Sequence, residues 1–216
     1  MDNVEIVCEN LSKSFSGKTI FKKVSFKISN GESLIITGKN GSGKSTLIKV
    51  IAGIISPSKG DMSLDIDSKS IPKEVFFKHI GLMSPYLNLY DELSGYENLE
   101  FFMNIKCPGK PVNERDEKIN FLLESVGLFK RKKDLYKNYS SGMKQRLKLA
   151  FALLNDPLLL LLDEPCANLD KEGIEVVYRF AEEQRKKGML MVATNEESDL
   201  QLCDSLINIE DFKKDK

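Results

Sequence analysis

Nine consecutive residues, Gly38-Lys39-Asn40-Gly41-Ser42-Gly43-Lys44-Ser45-Thr46, follow the apolar run Ser33-Leu34-Ile35-Ile36-Thr37 and lead into a helical pattern over residues 44–53. A buried strand, a glycine-rich turn and a helix in that order commit the chain to an α/β unit. The turn fits the P-loop pattern G-x-x-x-x-G-K-[ST], in which glycines let successive backbone N–H groups point into one concavity. Gly38, Asn40, Gly41, Ser42, Gly43 and Thr46 are therefore expected to form a phosphate cradle. Lys44 reaches the β- and γ-phosphates of a nucleotide, and the Ser45 hydroxyl sits where Mg²⁺ needs a ligand. The helix adds the positive end of its dipole.

The remaining pattern fills out the sheet. Residues 4–11 and 20–28 alternate apolar and polar side chains around a Ser/Gly/Lys turn, which reads as an antiparallel pair with one wet face. Residues 33–37, 62–66, 79–83, 158–162, 189–193 and 205–209 read as further strands, and 172–187 as a helix. Strands alternating with helices favour a mainly parallel, doubly wound sheet. From Ser94 onward apolar residues recur at helical spacing, through Tyr96, Leu99, Phe102, Ile119, Leu122 and Val126. Pro108 and Pro111 separate two helices, Gly127 ends the second, and a third spans 142–154. The expected organisation is one domain over residues 1–216. Its core, at 1–84 and 156–216, includes the antiparallel part, and a helical subdomain occupies 85–155.

A phosphate site needs a second group to hold a metal's hydration shell and a base to orient water. Leu158 through Leu162 make a fully apolar strand, and Asp163-Glu164 stand at its C-terminal end, where open α/β sheets place ligands. Asp163 is the candidate metal carboxylate. Glu164 is the candidate base for in-line attack on a γ-phosphate.

Composition narrows the partners. Thirty-two basic and thirty-two acidic residues cancel, so no global field draws the chain to nucleic acid or anionic lipid. Cys8, Cys107, Cys166 and Cys203 lack the spacing of a zinc site or disulfide framework. Met1-Asp2-Asn3-Val4-Glu5 lacks the basic and apolar regions of a secretion signal, and apolar runs such as residues 158–162 are too short to span a bilayer.

Tyr139-Ser140-Ser141-Gly142-Met143-Lys144-Gln145-Arg146 precedes a helix shortly before the acidic strand. This segment resembles the LSGGQ signature of ABC-type ATPases, and the order Walker A, signature, Walker B, D-loop matches that family across nearly the whole chain. The resemblance implies a P-loop NTPase core with an N-terminal antiparallel β-subdomain and an α-helical subdomain between Walker A and Walker B. It implies ATP and Mg²⁺ as ligands, and a head-to-tail dimer, homomeric or with another ABC subunit, in which Ser140, Ser141 and Gly142 close on the partner's ATP. Read without the family, Ser140 and Ser141 are a helix N-cap. By the same resemblance Phe15 stacks on adenine, Asp170 of Ala167-Asn168-Leu169-Asp170 orders the dimer interface, and Asn195 takes the place of the switch histidine. The Q-loop glutamine falls on Pro85, which offers neither an amide side chain nor a backbone N–H; Ser84 or Tyr86 could substitute. Asparagine can donate to a phosphate but takes up no proton near neutrality. Both departures imply slowed hydrolysis.

The leading expectation is a cytoplasmic subunit, peripheral on the inner face of the membrane through a separate permease. Tyr86, Leu87, Leu89 and Tyr90 offer an apolar contact for that permease. The signature's form and the short C-terminus resemble small bacterial exporter subunits, including the haem-exporter type. The alternative is a soluble ABC ATPase acting on nucleic acid or ribosomes; such relatives carry two domains or large insertions, and nucleic acid is not the expected partner.

Overall fold

The computed structural model describes residues 3–213. Met1 and Asp2, part of the argument against a secretion signal, and Lys214 to Lys216 lie outside the described residues. Strands β1 (Val4–Phe15) and β2 (Lys18–Ser29) form a hairpin across Ser16-Gly17. Both run further than their alternation predicts. Register shifts between Cys8 and Leu11 and again between Leu11 and Lys13 break the period of two while pairing continues. With β4 (Lys59–Ile66) and β5 (Lys69–Ser70) they make an antiparallel sheet ordered β2-β1-β4-β5.

The second sheet contains β3 (Ser33–Thr37), β6 (Ile80–Met83), β7 (Leu159–Asp163), β8 (Met189–Ala193) and β9 (Ser205–Asn208), in the order β6-β7-β8-β3-β9. Every pairing in it is parallel. Along β7, Leu160 and Leu162 pack into one core while Leu159 and Leu161 pack into the other, so both faces are covered. Burying each such leucine is worth roughly 1.5–3 kcal/mol, which makes this strand a rigid mount for the two carboxylates at its C-terminal end.

Helix α1 (Lys44–Ile51) follows the P-loop. Helices α2 (Gly95–Lys106), α3 (Val112–Ser125) and α4 (Ser141–Ala152) lie between β6 and β7 in the chain, and α5 (Lys171–Lys187) joins β7 to β8. Ser94 and Glu97 form a reciprocal capping box at α2, and Pro111 opens α3. The strand predicted over 158–162 lies one residue further on, so Asp163 itself closes the ladder opposite Ala193. A 3₁₀ turn, Glu197–Leu202, precedes β9. After β9, Ile209–Phe212 form a 3₁₀ turn with Ile209 buried against the core.

Candidate active site

Three strand ends converge because the sheet order places β8 between β3 and β7. The P-loop leaves β3, the carboxylates close β7, and Thr194-Asn195 leave β8. Above them lies a cleft of about 590 Å³, in the size range of ligand pockets, whose lining includes Asn40, Gly41, Ser42, Gly43, Lys44, Ser45, Thr46, Glu164 and Asn195. Gly38 lines an adjoining cleft together with Asn40 and Asn195. The tight curl has a clear requirement at Gly43: φ is 116°, and a Cβ there would stand 2.6 Å from Ile20 Cγ2.

Lys44 is almost fully buried and its Nζ donates to Gly38 O at 2.7 Å. The same ammonium lies 3.4 Å from Glu164 Oε1. Asp163 is completely buried, with Ser45 Oγ donating to Oδ1 at 2.9 Å and Ser84 Oγ donating to Oδ2 at 3.0 Å. Burial pushes the Asp163 carboxyl above its ordinary range, against the pull of those two hydroxyls and of Lys49 and Lys44. Burial likewise pushes Glu164 up, with Lys44 opposing. Glu164 sits at φ 48°, a left-handed conformation costing a non-glycine residue about 1–2 kcal/mol, and its N–H donates to Ala193 O at 2.8 Å. With its amide nitrogen turned to the carboxylate, Asn195 donates to Glu164 Oε1 at 3.2 Å and Oε2 at 3.0 Å. The loop bearing Asn195 is fixed from beneath: Thr194 Oγ1 donates to the buried Asp199 at 2.8 Å, and Tyr178 holds that carboxylate's other oxygen at 2.9 Å.

These groups fit a magnesium-bound polyphosphate. Ser45 and Asp163 offer hard oxygen donors, as Mg²⁺ requires. No group of three or more His, Cys, Asp or Glu that could hold a metal ion is present among the described residues. Ser42 Oγ is buried in the cradle without a hydrogen-bond partner among the described residues, a donor that a phosphate oxygen would satisfy.

The other candidates stand elsewhere. Phe15 is half exposed at the end of β1, with Lys13 over its ring, and is not part of the cleft lining; Ile20 is. Ser140 caps α4 by accepting from Met143 N at 3.2 Å, and Asp170 caps α5 by accepting from Gly173 N at 2.9 Å. A Cβ on Gly142 would meet Asn168 O at 3.3 Å, so the signature turn adjoins the D-loop; Ala167 of that loop lines the P-loop cleft, while Ser140 to Gly142 and Asn168 to Asp170 do not. Sequence reasoning missed Ile20, Lys49, Ala167 and Glu196 in the lining. Lys49 alone carried a signal, lying four residues after Ser45 on the same helix.

The profile of the family described as ABC transporter matches residues 21–167. The uncharacterized ABC transporter ATP-binding protein YhcH of Bacillus subtilis (strain 168) is 41% identical over 190 residues, covering 87% of this chain and 60% of that protein. The linearmycin resistance ATP-binding protein LnrL of the same organism is 33% identical over 203 residues, covering 92% and 64% respectively. The chain thus spans less than two thirds of the length of either relative. A solved dimeric ATP-binding cassette, in a post-hydrolysis state bound to ADP and Pi, superposes with a TM-score of 0.86 over 95% of this chain and 94% of that one. At 24% identity it shares the fold.

Proposed function

The chain belongs to the ABC transporter family, and from that premise we propose that it binds and hydrolyses ATP to drive a separate membrane permease. The observation that carries this reading is the convergence of Lys44, Ser45, Glu164 and Asn195 on one cleft, with Lys44 Nζ 3.4 Å from Glu164 Oε1 and the buried Asp163 bonded to Ser45 behind the lining. The cradle N–H groups and Lys44 hold the triphosphate. Ser45 and Asp163 are the residues that would hold Mg²⁺, which when bound neutralises charge on the phosphoryl oxygens. Glu164 orients water on the γ-phosphate side and takes its proton as the water oxygen attacks phosphorus and the bond to the β-phosphate oxygen breaks. Asn195, donating to both Glu164 oxygens, aims the carboxylate and stabilises its charge, but as an amide it moves no proton.

The exposed signature turn, Ser140 to Gly142, is the proposed contact for the nucleotide of a second cassette. Phe15 is proposed to stack on adenine and Asp170 to order that interface. No helix among the described residues is long and apolar enough to cross a membrane, so the proposed place of work is the cytoplasmic face, on the permease. Names such as linearmycin resistance and lantibiotic transport among the relatives support a transport role.

The test is phosphate release beside ATP binding in the wild type and in Glu164→Gln. Turnover is expected to fall about 10²–10⁴-fold with binding retained, the range for loss of a general base. Undiminished turnover in Glu164→Gln would remove Glu164 from the chemistry.

A further inference from the structure

Lys148 lies on α4, is only 7% exposed, and joins no ion pair among the described residues. Its ammonium donates to one group, the backbone carbonyl of Pro85, at 2.9 Å. Desolvating an ammonium costs several kcal/mol when no counter-charge compensates, and burial accordingly holds this one below its usual range. An apolar side chain of similar length would pack there without that cost. The position therefore calls for an account of what the contact holds.

It holds the loop after β6. Pro85 follows Ser84, whose buried hydroxyl donates to Asp163 Oδ2, while Tyr86 on the other side lies with its ring centroid 4.3 Å from Lys49 Nζ. Asp163 is thus gripped from two directions, by Ser45 on α1 and by Ser84 on this loop. The Ser84 grip depends on where the backbone at Pro85 is fixed. One turn earlier on α4, Gln145 Nε2 donates to Glu164 O and Pro165 O, each at 3.3 Å. The same helix face therefore fastens both loops that shape the carboxylate pair.

We propose that Lys148 and Ser84 form a positioning relay, Lys148 to the Pro85 carbonyl and Ser84 to Asp163, which aims the Asp163 carboxylate and sets the site's affinity for the divalent cation of a bound nucleoside triphosphate. The proposal rests on reading Asp163 as the metal carboxylate. Neither residue touches the reacting atoms; both act through Asp163.

The experiment is equilibrium binding of a fluorescent ATP analogue to the full chain, titrated with Mg²⁺ and repeated in EDTA. Ser84→Ala and Lys148→Met are each expected to raise the Mg²⁺ concentration at half-effect about tenfold, the lower end of the effect of outer-shell partners on metal affinity. Affinity in EDTA stays at the wild-type value. Lys148→Arg, which can still donate, restores the midpoint, and the double variant shifts no further than the larger single change, since both cut one path. Unchanged midpoints, additive shifts, or an equal loss in EDTA would overturn the relay. Should Lys148→Met fail to fold, Ser84→Ala decides alone: a wild-type midpoint there overturns the proposal. A wild type that binds the analogue equally with Mg²⁺ and in EDTA would sink the metal reading itself, whereas a responsive wild type with equally responsive variants would sink only the relay.

Discussion

Glu164 is asked to be both buried and charged, and its neighbours divide that conflict. Burial raises its pKa, Lys44 pulls it back, and Asn195 donates to both oxygens. A base must be ionised to act, so phosphate release should fall on acidification with a midpoint above that of an exposed glutamate. Stability responds with the opposite sign. The fold holds the Glu164 and Asp163 protons more tightly than the unfolded chain does, so these two groups make the protein more stable as pH falls from the folded pKa to the ordinary carboxylate value. Parallel rate and circular-dichroism titrations separate the two: activity lost while the fold persists supports the account, and activity that tracks unfolding contradicts it. Lys44, Ser45, Asp163 and Glu164 are legible in the sequence because each lies in a short motif whose spacing states its chemistry. Ser84 on Asp163 and Lys148 on Pro85 are not, since the partners are 79 and 63 residues apart and meet only through the sheet order.

At the scale of elements, uninterrupted apolar character locates strands to within a residue or two. Strands with bulges come out short, because the period of two is the signal and the bulge destroys it. The two-residue strand β5 and the 3₁₀ turn Lys73–Lys78 carry no period to detect. Strand order leaves no local trace either: that β8 inserts between β3 and β7 follows from packing across the whole sheet. The contact between β6 and α4 shows how close that packing is. A Cβ on Gly81 would stand 2.1 Å from Ala152 O and 2.9 Å from Pro157 Cγ. Gly81→Ala should therefore cost about 1–3 kcal/mol by overpacking, read as a lower thermal midpoint. Because β6 leads directly into Ser84, the same change should weaken Mg²⁺-dependent nucleotide binding; a variant of wild-type stability would show that α4 and β6 can separate freely.

For the whole molecule, the account makes the chain a carrier of two half-sites. The cradle and Glu164 face one cleft, while Ser140 to Gly142 and the adjoining Asn168 to Asp170 stand apart from it. On the proposed function, a second cassette brings the N-terminus of its α4 to Lys44 and completes the site. The central claim is thus that ATP joins two copies head to tail, and light scattering of the slow Glu164→Gln variant tests it most directly. The account predicts that Mg²⁺ and ATP together double the apparent mass, and that adding Ser141→Arg at the signature turn abolishes the doubling while ATP binding persists. A mass that stays monomeric with ATP bound, or that doubles without nucleotide, would contradict it.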